Sequence, residues 1–126
     1  MPVSAATIRA AALTIATIPG IEANPQFVLE DVISLSQVWP NEKDFLTAIN
    51  STKQAAELLL SDSVDAASLS YQLEGWSAFH YQHKRGQEQP ANMRIVFRKE
   101  CEKLKVLSFG HRNLPHSVYY SASGRL

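Results

Sequence analysis

The chain has 126 residues, 45% of them apolar, and a single cysteine, Cys101. That length suits one domain whose core can be filled without cross-links, and a lone cysteine excludes an internal disulfide and any cysteine-based metal cluster. The formal net charge is zero, yet residues 1–79 carry −6 and residues 80–126 carry +6, so the second half is drawn to an anionic partner: nucleic acid or the chain's own acidic half.

In chain order, Ile8 to Ile18 reads as a helix by its alanines or as a strand by its alternating threonines, and Pro19-Gly20 stops it either way. With only Arg9 ahead of it, this stretch makes a weak secretory signal. No run reaches the roughly 18 apolar residues that span a bilayer. The protein is therefore expected in the cytoplasm with no membrane partner. Phe27 to Val38 has apolar residues at helical spacing and ends at Trp39-Pro40, since the residue before proline avoids the α region. Asn41 is the expected N-cap of a helix to Leu60, with Glu42 and Asp44 in its first turn. Asp65 to Leu73 is expected to add a short helical turn.

At Gly75 the pattern changes. Trp76 to Tyr81 is aromatic and suits a strand. A polar loop, KRGQEQPA, follows at 84–91. Met93, Ile95 and Phe97 alternate with Arg94, Val96 and Arg98. A charged turn at 100–103 leads into LKVLSF (104–109), apolar on both faces and so expected to be central or covered on both sides. The sum is an α+β fold: helices first, then a three-stranded antiparallel meander, with the helices packed on one face.

A hairpin centred near Cys101 puts Arg94 across from about Phe109 and Arg112 just beyond the ladder. Lys84 and Arg85 lie in the loop feeding the same end. Arginine's planar fork suits phosphate. His111, Tyr119 and Tyr120 add groups able to move protons or stack on bases. Cleavage of a phosphodiester needs charge stabilisation and an acid or base, and these residue types supply both without a metal. Of the four histidines (80, 83, 111 and 116), His80-x-x-His83 would give two metal ligands only with a third group brought from elsewhere, and on a strand the two point to opposite faces. No metal or cofactor is expected.

Residues from about 53 to 120 carry QAAELLL (54–60), LEGW (73–76), MRIVFR (93–98), SFGHR (108–112) and VYY (118–120). In order and spacing these resemble the RelE/ParE superfamily of bacterial toxin–antitoxin toxins. The resemblance implies a RelE-like helix plus antiparallel sheet over about 53–126, within a single domain spanning 1–126. That family opens with a β-strand and a helical hairpin. This chain shows no clear first strand, so about 1–52 is expected to be a helical N-terminal extension. The resemblance further implies an mRNA interferase, a metal-independent endoribonuclease acting on mRNA on the ribosome and held by a cognate antitoxin protein. Arg94, Arg112, His111 and Tyr119 would be catalytic; Lys84, Arg85, Arg98 and Tyr120 would bind RNA. The alternative is a binding protein of the same fold without nuclease activity, directed at DNA gyrase or inert and masked by its own acidic N-terminal half. An exposed sheet edge also permits a homodimer.

Overall fold

The computed structural model describes residues 2–84, 86, 90–114 and 117–126. Ser4 opens α1 (Ala5–Ala16), its hydroxyl accepting the Thr7 N–H at 3.1 Å, so the alanine-rich stretch resolves as a helix. Pro19 and Gly20 end it. Gly20 sits at φ +90°, a conformation open to glycine, and the turn delivers the chain into β1 (Ile21–Ala23).

Asn24 then caps α2 (Pro25–Val38), with its side chain on the Gln26 N–H and proline at the first helical position. Asn41 caps α3 (Glu42–Leu60), accepting from Lys43 N–H at 3.0 Å and Asp44 N–H at 3.3 Å. Both helices stand where their caps and periodicity put them. The boundary expected near residue 52 falls inside α3, and β1 interrupts the stretch expected to be wholly helical.

The helical turn expected over 65–73 is confined to a 3-10 turn at Tyr71–Leu73, with β2 (Ala67–Ser68) ahead of it. Serines at 68 and 70 favour local alternatives to helix, and the Leu69 N–H donates to Trp76 O at 2.9 Å, which draws the segment onto the sheet. β3 (Ser77–Tyr81), β4 (Met93–Glu100) and β5 (Lys103–His111) form the expected antiparallel meander. The sheet as a whole is five-stranded and mixed, in the order β1-β5-β4-β3-β2. β1 runs parallel to β5, with Ile21 opposite Leu104 and Ala23 opposite Val106. Three residues are too few to show a strand period, which is why β1 escapes a reading from periodicity.

Register decides the rest. Arg94 pairs with Gly110, one residue from the expected Phe109, and Met93 pairs with His111. A bulge shifts the ladder between Val96 and Phe97, leaving Leu107 unpaired. Met93, Ile95, Phe97, Leu104, Val106 and Phe109 face α1–α3 and join Phe45, Ile15, Val32 and Leu35 in the main core. Val96 and Leu107 face the other way. There α4 (Val118–Gly124) closes a second, smaller core with Val118, Ala122, Leu73 and Trp76. The helices therefore cover both faces rather than one. β5, an interior strand covered on both faces, is apolar on both sides for this reason, as the sequence pattern implied.

β1 pairs with β5 only as far as Val106. Beyond it two backbone groups of β5 are met by side chains. Asp31 of α2, 5% exposed, accepts the Phe109 N–H at 3.1 Å, and Arg125 donates to Leu107 O at 3.0 Å. The two side chains also form a bidentate pair, with both contacts at 2.8 Å. Glu30 adds a contact to Arg125 at 3.3 Å, and the guanidinium lies 4.7 Å over the Phe27 ring. Burial pushes the Asp31 carboxyl up to about 6 against the pull of Arg125 and the Phe109 N–H. Burial pulls the Arg125 pKa down, and its contacts with Asp31 and Glu30 raise it by more.

Arg125→Met leaves Asp31 buried without its counter-ion, which lifts its pKa further. A raised folded-state pKa gives stability that is present at low pH and lost as pH rises through that pKa. The variant's deficit relative to wild type in urea unfolding is therefore small near pH 5. It grows to about 3–5 kcal/mol at pH 8, the usual cost of breaking a buried ion pair.

Candidate functional site

The residues expected to act together separate into three groups. At the open end of the β4–β5 hairpin, Asn92 is the organiser. Its side-chain oxygen accepts the His83 N–H at 3.1 Å, and its backbone oxygen accepts the Arg112 N–H at 2.9 Å. Asn92 thus ties the end of β3, the start of β4 and the end of β5 together, and it brings Lys84, Arg94 and Arg112 to the same end. Lys84 and Arg112 are exposed. Arg94 is half-buried, with its guanidinium turned back onto the oxygens of Ala91 and Met93, the latter at 2.9 Å. His80 stands across from Arg94. Its pKa is lowered by burial first and by the Arg94 charge second. Arg85 and His116 lie outside the described residues.

His111 does not join Arg94. Paired with Met93, it faces α1–α3, where its ring lies 5.8 Å from that of Trp39. His83 stacks on the same indole at 4.3 Å. The Asn92 amide donates to His83 Nδ1 at 2.9 Å. His111 Nδ1 accepts from the Asn113 N–H at 2.9 Å and the Leu114 N–H at 3.0 Å. The δ nitrogens of both imidazoles therefore act as acceptors. The His111 pKa is lowered by burial, then by Arg112, His83 and Arg94.

The third group lies on the α4 side, toward the hairpin turn and four residues along β4 from Arg94, roughly 13 Å at about 3.3 Å per residue. Arg98 sits 4.6 Å over the Trp76 ring and pairs with Glu100 at 2.5 Å. Lys105 is directly opposite Arg98 in the ladder. Of the tyrosines, Tyr119 is half-buried against the second core, and Tyr120 is 74% exposed on α4. α1–α3 pack on the face opposite Arg94 and Arg98, so the acidic N-terminal helices do not lie over these two cations. Among the described residues, acidic and basic halves meet in ion pairs at Arg125 with Glu30 and Asp31, and at Lys99 with Asp62.

No protein-family model, no curated protein and no solved structure matches this chain. No helix among the described residues is long and apolar enough to cross a membrane, and they contain no group of three or more residues suited to hold a metal ion.

Sequence reading alone did not assign Trp39, His83 and Asn92 to His111, nor Lys105 and Arg125 to Arg98. Trp39-Pro40 served only as a helix stop, although an indole at a helix end beside a histidine-rich hairpin is a usable signal. Lys105 and Arg125 entered only as charge.

Because His111 accepts two backbone N–H groups while neutral, its depressed pKa contributes stability present above the unfolded value of about 6.5 and lost as pH falls through the folded value. In His111→Asn the amide oxygen keeps an acceptor near those N–H groups but does not titrate. The expected result is a melting-temperature gap between wild type and variant at pH 7.5 that narrows by pH 5.5. A constant gap would exclude titration of His111 as the cause.

Proposed function

We propose that this protein acts on RNA as a toxin of the mRNA interferase type, working in the cytoplasm against mRNA on the ribosome and restrained by a cognate antitoxin protein. The observation that carries the reading is the Asn92 clasp, which gathers Lys84, Arg94 and Arg112 at one end of the sheet. Guanidinium and ammonium groups there suit successive phosphates. Behind α1, a short strand, two helices and an antiparallel meander follow in turn, and this order supports a RelE/ParE-like reading without α1 having a place in it. In this reading Arg94 leaves its backbone acceptors for a phosphate oxygen, and Arg112 stabilises the charge that builds on phosphorus in the transition state. Tyr120, exposed on α4, offers a face for a base.

A second reading, RNA or protein binding without cleavage, is favoured by one specific feature. His111 faces the helical layer, and its Nδ1 already accepts two N–H groups, so it has no free base at that nitrogen. Tyr119 is likewise engaged with the second core.

Induction of the chain in a bacterial host, with growth and reporter mRNA followed together, separates the two. The expected result is growth arrest with fragmented mRNA. An Arg94→Ala/Arg112→Ala variant should fold normally and lose cleavage by about 10²-fold or more, the scale of removing one charge-stabilising donor. Arrest with intact mRNA would assign the action to a protein target such as DNA gyrase. Absence of arrest would overturn the interferase reading.

A further inference from the structure

A cleft of about 620 Å³ lies between the end of β1, the start of α2 and the α4 side of the sheet. Its size is that of a small-molecule site, about 300–1,000 Å³. Four observations give it a chemical character. First, Phe27 and Trp76 both line it, each with a guanidinium over its ring: Arg125 at 4.7 Å and Arg98 at 4.6 Å. Second, Lys105 and Arg98 stand directly opposite each other in the β4–β5 ladder and both line the cleft. Like charges in that relation destabilise a sheet unless an anion lies between them. Third, Lys105 has no ion pair among the described residues. Fourth, Arg98 Nε is buried and has no hydrogen-bond partner, a state that costs free energy in a folded protein.

The cations differ in what they have left to give. Arg125 is committed to Asp31, Glu30 and Leu107 O. Its Nη groups are taken up and two carboxylates offset its charge, so it forms a wall of the cleft and not an anion seat. Arg98 keeps Nη2 on Glu100. Lys105 is the open seat, with Arg98 beside it. Glu22 opposes Lys105 from β1 and also borders the cleft. It is exposed to solvent, so its repulsion of an anion is screened.

We infer that this cleft binds a free nucleoside monophosphate, with the phosphate on Lys105 and Arg98 and the base against Trp76 and Phe27. One phosphate matches one open cation seat, and a single flat ring with its sugar suits a cleft of about 620 Å³ that two aromatic residues line. Base stacking and a charge-assisted contact each contribute on the scale that makes such a ligand bind while its separate pieces do not. The site lies toward the hairpin turn, away from the Asn92 clasp, and does not depend on the RNA reading of that end.

Calorimetric titration of the full chain with 5′-AMP, adenosine and inorganic phosphate tests it. The expected result is one 5′-AMP per chain, bound about tenfold or more tightly than either fragment, since a hydrogen bond to a charged group is worth at least that factor. Lys105→Gln weakens 5′-AMP by about tenfold or more for the same reason, and Glu22→Gln tightens it. The Arg94→Ala/Arg112→Ala variant binds it as wild type does, so loss of RNA action and loss of this site are told apart. No binding of 5′-AMP, equal binding of adenosine, equal binding of phosphate, or indifference to both the Lys105 and Glu22 changes would each overturn the assignment.

Discussion

The carboxylate of Asp31 is the point on which the sheet and the helices agree. β1 is too short to satisfy the β5 edge beyond Val106. A backbone N–H left there without a partner would be costly in the interior. Asp31 takes the Phe109 N–H from α2, and Arg125 takes the Leu107 oxygen from beyond α4, so two side chains continue what a longer strand would have done. Their mutual pairing supplies each with the counter-charge that burial demands. A buried ion pair of this kind adds little over an apolar pair of equal shape. Its weight here is geometric: it holds α2, β5 and the segment after α4 in one arrangement.

The bulge at Leu107 has a comparable reach. Without it, strict alternation would set residues 104, 106 and 108 on one face of β5. With it, Leu107 and Ser108 both serve the α4 side: Leu107 enters the second core and the Ser108 hydroxyl donates to Val118 O at 3.2 Å. That second core is what covers the middle of the sheet's far face. The cations of that face are thereby parted into an open end around Arg94 and a cleft around Arg98 and Lys105.

Much of this was legible in the residues. Asn41 as a cap, proline after Trp39, and the Met93–Arg98 alternation each state a local rule that tertiary packing did not override. β1 and β2 were not legible, because three and two residues carry no period and their partners come from far along the chain. For the candidate site, the hairpin placed Arg94 and Arg112 at the correct end. A register shifted by one residue then turned His111 to the helical face, since side chains in a strand alternate. Lys105 and Arg125 could not be picked out as site residues, because their meaning depends on which cations already have partners. That is a property of the packed chain and not of spacing.

The parallel pairing of β1 with β5 also governs when this protein can become itself. The contact of Asp31 with Arg125 joins residues 94 apart in sequence, and that with Phe109 joins residues 78 apart. Contacts of that separation close large loops and are formed late and slowly. On a ribosome, α1, α2 and α3 are complete long before β5 exists to receive them. Their apolar faces, destined for Phe109, Leu104 and Met93, wait uncovered until the hairpin emerges. The helical half is thus a nascent-chain species with an exposed surface and a lifetime set by the rate of translation.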